Sequence, residues 1–335
     1  MAPASSPAPP AGPLRDGSGA ARRGALTTAT AAVAVAAALI LLPGLHQVTR
    51  LLGHCSPAWL AIAVVLESAS CAGFVAVISS LFAQVPRPLS RRLAWVELGA
   101  NVVLPAGGVS GLTLAAWVLR RRGLPIAATV RTSTAVFALT SVPNFVAVAL
   151  VGCGMWSGLL PGSHRFALTG LPALAATSGL AAAGLVTGCK LTGNVAIGLE
   201  GLTLLQQALR EARAHLVWRD RAAWGAFAYW AFDNAVLLVG LWSVGEHVAV
   251  SDVLMAYLLG QLGSLLPTPG GIGVLEGGLI GCLVLFGVEA APAAAAVLLY
   301  RVVSLVVPLI GGVVASRALW RFRRCDEDTS YLPSA

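Results

Sequence analysis

Long apolar runs dominate the chain, and most of them continue for about 20 residues, the length a helix needs to cross a bilayer core of about 30 Å. Such runs lie at 25–42, 57–84, 132–153, 166–188, 223–244 and 292–316. They predict about six spanning helices. Two further apolar stretches, 93–119 and 253–287, are broken in the middle by proline and paired glycine. Superimposed at Gly107-Gly108 and Gly270-Gly271, both show a polar-dotted apolar arm, a proline, the Gly-Gly and a second apolar arm. The pattern predicts one device used twice.

Charge placement suggests what the device is. Arg91 and Arg92 precede the first broken stretch, and Arg120, Arg121 and Arg122 follow it. The positive-inside rule then puts both of its ends on the cytoplasmic face. Arms of about 12 and 11 residues reach only about half the core. A re-entrant hairpin fits both facts. The second stretch has only Asp252 and Glu289 at its ends and fits a hairpin entering from the other side. The expected fold is an all-α polytopic membrane protein, about six spans plus two re-entrant helical hairpins in an inverted repeat. Residues 1–24 are expected as a disordered cytoplasmic tail. A single transmembrane domain is expected over 25–318, with repeats 25–153 and 166–316, and a second cytoplasmic tail over 319–335. Both termini are placed inside.

Composition agrees with that class. Hydrophobic residues make up 57% of the 335 positions and charged residues 11%, and the mean hydropathy is +0.81. So little polar surface excludes a soluble globule of this size. The net charge of +8 sits mostly in short basic stretches between apolar runs, which is a mark of topology rather than of nucleic-acid binding. Residues 194–222 read as a basic amphipathic helix on the inner leaflet, with Leu202, Leu205, Leu209 and Leu216 among arginines. Most tryptophans, Trp59, Trp95 and Trp242 among them, fall near run ends, as interfacial anchors do. The six cysteines are scattered without a CxxC and read as small apolar fillers. Five scattered histidines, with no nucleophile and base and no Walker motif, give no reason to expect an enzyme, a metal or any cofactor.

The chemistry lies at depth. Broken backbone inside a membrane is tolerated where it is buried in protein or lines a wet cavity, so two facing breaks imply a cavity between them. A helix restarting after each break offers unpaired N–H groups and a positive dipole end to a carboxylate or phosphate. Glu67, Asp233, Glu276 and Arg301 are ionisable residues inside apolar runs, and such residues mark pathways or pairs. Glu276 and Arg301 are expected at similar depth, either as a structural salt bridge or as a pair that opens to place Arg301 on a lipid phosphate. Glu67 and Asp233 occupy helices that the repeat relates; each is either a proton carrier or an inert hydrogen-bonded acid. Glu97, Asn101, Gln261 and Ser264, on the first arms of the hairpins, are candidates to line the same cavity.

The block "LPTPGGIGVLEGGLIGCLVLFGV", with "AAAAVLLYRVVSLVVPLIGGVVA" after it, resembles the C-terminal signature of the lysylphosphatidylglycerol synthase transmembrane-region family, also called the flippase-like domain family. "ELGANVVLPAGGVSGLTLAAWVLRRRGLP" is similar to its first signature. The resemblance implies that Pro269, Gly270, Gly271, Gly273, Glu276 and Arg301 hold the family's motif positions. It also implies a lipid translocase acting on phospholipid or polyprenyl-phosphate-linked lipid in a bacterial inner membrane. The first signature departs from the family pattern at Ser110-Gly111, where many relatives carry Gly-Glu, which leaves Glu97 to supply that hairpin's acid. The short C-terminal stretch reads as a stand-alone member without the cytosolic synthetase domain. Other readings are a transporter of a small anionic or amphiphilic solute and a non-transporting partner of an envelope-biosynthesis enzyme.

Overall fold

A computed structural model describes residues 51, 53, 56–103, 126–188, 200–217, 219–262 and 273–329. The tail expected over 1–24, the first span over 25–42, Pro269 and both Gly-Gly breaks lie outside the described residues, as do Ser264 and the second arm of the first hairpin.

Every regular element among the described residues is helical. The helices are α1 (Pro57–Leu81), α2 (Arg87–Val103), α3 (Ile126–Trp156), α4 (Gly170–Gly188), α5 (Glu200–Ala214), α6 (Arg221–Ser243), α7 (Val250–Gly260), α8 (Val274–Leu285) and α9 (Ala290–Thr329). Of these, 5 are long and apolar enough to cross a membrane: α1, α3 from Ala128, α4, α6 and α9 as far as Ala318. Their starts follow local chemistry. Ser56 Oγ accepts from the Ala58 N–H at 3.3 Å ahead of Pro57, so the cap takes an orphan donor and proline fills a position that needs none. Helix α9 continues past its span to Thr329, so much of the tail expected from 319 is helical.

The distribution of polarity is the reverse of a soluble protein's. Glu67 is 4% exposed while Val65, two residues away, is 66% exposed; Arg301 is 9% exposed and its neighbour Val302 58%. Ionisable side chains point into the bundle and branched aliphatics point out, which suits an apolar solvent.

The inverted repeat is visible in the packing. Helix α1 packs on α2 as α6 packs on α7, and α2 packs on α9 as α7 packs on α3. Helix α1 also meets α3 and α9, and α6 meets α9 and α3. Exchanging α1 with α6, α2 with α7 and α3 with α9 therefore maps these pairings onto one another. Helices α3 and α9 each carry one internal proline, Pro143 and Pro308, a little past the middle of the apolar span. At the centre α1 and α6 run antiparallel: Ser70 Oγ donates to the Tyr229 carbonyl at 2.9 Å, and Gly73 lies against Gly225 one turn along. A Cβ built on Gly73 would stand 2.6 Å from the Gly225 carbonyl oxygen, and one on Gly225 2.7 Å from the Gly73 carbonyl. Glycine at both positions permits this approach, the small-residue packing that membrane helices rely on. Trp95, expected as an interfacial anchor, packs on α9, with its ring over Gly311 and its carbonyl against Gly312.

Helices α7 and α8, of 11 and 12 residues, reach only about 17 and 18 Å, so neither crosses a bilayer core of about 30 Å alone. They pack on each other where Gly260 meets Gly278 and Leu279.

The amphipathic helix expected over 194–222 is present as α5 but shorter, ending at Ala214. The chain turns there because Asp220 starts the next span. Its side chain accepts from the Ala222 N–H at 2.9 Å and meets His215 Nδ1 at 2.6 Å. The buried face of α5 carries Gln206, Ala208 and Ala212, while Leu205 faces out. Arg210 and Gln206 donate to the carbonyls of Thr187 and Val186 at the end of α4, at 3.1 and 2.8 Å. These donors satisfy carbonyls that a helix C-terminus leaves open, so α5 braces α4.

Burial alone would raise the Asp220 pKa, but the Ala222 N–H and His215 more than offset it and hold the carboxyl below its ordinary value. A depressed carboxylate stabilises the fold above its unfolded pKa of about 3.9 and loses that contribution as pH falls through the folded value. Asp220→Ala is expected to cost about 1 kcal/mol at neutral pH, within the range for a lost N-cap. Thermal unfolding in detergent should show the deficit at pH 7 and its disappearance in acid. A deficit that stays constant on acidification would assign Asp220 a purely steric role.

Candidate functional site

Helix α8 begins at Gly273, whose φ of +91° suits glycine, and the break at its N-terminal side is followed within one turn by Glu276. The Glu276 carboxylate has two partners. Oε2 accepts from the Gly273 N–H at 2.5 Å, and Oε1 accepts from Arg301 Nε on α9 at 2.6 Å. The two side chains are 17% and 11% exposed. The anion expected at this restarted helix is thus present, and it is the chain's own carboxylate. It takes one of the orphan donors of the helix end and pins α8 to α9.

Arg301 also stands near a second acid. It lies close enough to Asp233 on α6 to attract it. Asp233 accepts hydrogen bonds from the hydroxyls of Tyr257 on α7 and Tyr300 on α9, the latter at 3.1 and 3.2 Å to its two oxygens. Gln261 Nε2 donates to the Tyr300 hydroxyl at 3.4 Å. Tyr257 and Tyr300 stack edge to face with centroids 6.2 Å apart.

The antiparallel register of α1 and α6 brings Glu67 to the same place. One turn back from Ser70 is Glu67, and one turn on from Tyr229 is Asp233, so the two acids face each other, close enough for their charges to repel. They occupy equivalent helices of the repeat at the point where those helices cross. Glu67 Oε1 is 3.7 Å from the Cys71 thiol, while Oε2 is buried without a hydrogen-bond partner among the described residues. Glu97, on α2, lies within electrostatic reach of Tyr229, as do Glu67, Cys71 and Asp233. Asn101 follows one turn later on α2 and is half-buried.

Glu67, Asp233, Glu276, Arg301, Gln261 and Glu97 therefore converge on one polar centre, built from both repeats. Gly273 adjoins it at the start of α8. Pro269, Gly270, Gly271, Gly107 and Gly108 lie outside the described residues. Sequence reasoning missed Tyr257, Tyr300 and Tyr229. The available signal was that these are three of only 4 tyrosines in the chain, each with its hydroxyl inside an apolar run rather than at its end. Cys71, read as an apolar filler, contacts a carboxylate. No group of three or more His, Cys, Asp and Glu able to hold a metal occurs among the described residues.

The family model for the lysylphosphatidylglycerol synthase TM region matches residues 29–312. The chain belongs to that family. It is a multi-pass membrane protein of the flippase-like family, and the matched residues take in most of both expected repeats and the whole polar centre. No curated protein matches the chain.

Proposed function

We propose that this protein moves a lipid with an anionic or phosphate-bearing headgroup between the leaflets of a bacterial cytoplasmic membrane, with both termini on the cytoplasmic side. The observation that carries the reading is the Glu276 bridge. A helix start and a buried arginine already hold one anion between them, at 2.5 and 2.6 Å. A headgroup phosphate has the charge and the acceptor oxygens to replace that carboxylate on Arg301. The apolar exterior suits acyl or polyprenyl chains that stay in the membrane while the headgroup crosses through the polar centre. Membership of a flippase-like family supports the same reading. The protein acts as a transporter rather than an enzyme, its partners are membrane lipids, and no cofactor enters the scheme.

Purified protein in liposomes, with fluorescent phospholipids and a labelled polyprenyl phosphate in the outer leaflet, provides the test. One lipid class is expected to cross with the native chain. Glu276→Gln and Arg301→Gln, checked for folding by size exclusion, are expected to slow it by about tenfold or more, the scale of one lost charge-assisted hydrogen bond. If no lipid crosses with the folded native chain, the reading fails and the pair is a structural tie.

A further inference from the structure

The polar centre holds more negative charge than its arginine can balance. Among the described residues, Asp233 from α6 and Glu276 from α8 stand by Arg301 from α9, Glu67 from α1 faces Asp233, and Glu97 from α2 lies within electrostatic reach of Tyr229. The other titratable groups facing them, Cys71 and the tyrosines Tyr229, Tyr257 and Tyr300, are neutral in ordinary conditions and add no positive charge. Arg301 is already committed to Glu276. Two carboxylates facing each other in a buried site cannot both remain ionised without a large cost.

Hydrogen bonding distinguishes the two acids. Asp233 accepts from two tyrosine hydroxyls and feels Arg301, so its charge is better supported than that of Glu67. Glu67 is 4% exposed, and its Oε2 has no hydrogen-bond partner among the described residues. A proton on that oxygen would turn an orphan acceptor into a donor near the neighbouring carboxylate.

We propose that Glu67 and Asp233 hold one proton between them, and that this proton is the coupling ion for lipid passage. The second half rests on the translocase reading above. The chemistry is one O–H bond, formed at Glu67 Oε2 with a proton from one aqueous side and broken to release it on the other, with no change of redox state. Arg301 links the two events. A headgroup phosphate that takes a share of Arg301 withdraws compensation from Asp233, so the acid pair binds its proton more tightly. By reciprocity the bound proton favours the headgroup. A metal cation such as sodium fits less well. It needs several oxygen lone pairs directed inward, whereas the Tyr257 and Tyr300 hydroxyls direct hydrogens at the Asp233 oxygens that would hold it.

The full chain is tested in two settings. Infrared difference spectra in detergent between about pH 5 and 9 report protonated carboxyl groups. The native protein is expected to show a protonated-carboxyl band at neutral pH that Glu67→Asp keeps and Glu67→Gln loses, because the remaining Asp233 then ionises. In liposomes, a pH gradient of one unit is expected to drive the labelled lipid to an asymmetry of up to about tenfold, the ratio set by one proton per lipid. Glu67→Gln should build none. A band that survives in Glu67→Gln overturns the proton site. An even lipid distribution under the pH gradient, or an asymmetry that follows a sodium gradient instead, overturns the coupling. Failure of any lipid to cross brings down the translocase reading and the coupling together, while the infrared band still decides whether the pair holds a proton.

Discussion

Arg301→Ala is expected to destabilise the protein by about 3–5 kcal/mol, the cost of breaking a buried ion pair by removing one partner, and by clearly more than Glu276→Gln does. The asymmetry follows from what each side chain serves. Glu276 meets the Gly273 N–H and Arg301, and a glutamine amide keeps an oxygen for one of them. Arg301 compensates two acids, pairing with Glu276 at 2.6 Å and attracting Asp233 on another helix. Its loss leaves the buried carboxyls of Glu276 and Asp233, the latter facing Glu67, with nothing positive among the described residues near them. The paired variant Glu276→Gln with Arg301→Ala should be less damaged than the sum of the single ones, with a coupling of about 0.5–3 kcal/mol, as for residues in direct contact. Unfolding titrations of the four proteins in mixed detergent micelles measure this cycle. Equal single costs that simply add would mean that the two side chains act independently, and the pair would no longer be a candidate headgroup site.

The helical class and the repeat could be read from the sequence because both leave long-range signatures in hydropathy: apolar runs of spanning length, and two broken stretches that align at their glycine pairs. The ionisable members of the centre were legible for a similar reason. A carboxylate or guanidinium inside an apolar run is costly, so Glu67, Asp233, Glu276 and Arg301 stand out one by one. The pairing of Glu276 with Arg301 was expected from their depth, but the meeting of Glu67 with Asp233 was not legible. It depends on the register of α1 against α6, which Gly73, Gly225 and Ser70 set through backbone contacts that hydropathy does not encode. Tyr257 and Tyr300 were hidden because tyrosine in an apolar run reads as one more aromatic, and only a carboxylate on a different helix gives its hydroxyl a purpose. Helix α5 was overextended for the opposite reason. Its arginine pattern continues through Arg219 and Arg221, but Asp220 caps a new helix between them, and a local cap outweighs a periodic charge pattern.

Gly73→Ala is expected to impair folding and the polar centre together, although it adds only a methyl group. A Cβ at that position would meet the Gly225 carbonyl oxygen at 2.6 Å and the Tyr229 nitrogen at 2.7 Å. Both are backbone atoms of a helix, so neither can rotate away as the tip of a side chain would. Relief requires α1 and α6 to separate or slide. Overpacking of this kind costs about 1–3 kcal/mol. The displacement then acts at a distance, because Ser70 and Glu67 lie one and two turns from Gly73 on the same face, opposite Tyr229 and Asp233. Gly281→Ala on α8 is the matched control, since nothing lies within 4 Å of a Cβ built there and alanine is about 1 kcal/mol better than glycine within a helix. Thermal unfolding should therefore separate the two alanine variants, with Gly73→Ala lowered and Gly281→Ala unchanged or raised. If Gly73→Ala unfolds like the native chain, α1 and α6 do not cross at this glycine. The register that sets Glu67 against Asp233 would then be wrong, and the shared proton would lose its geometric basis.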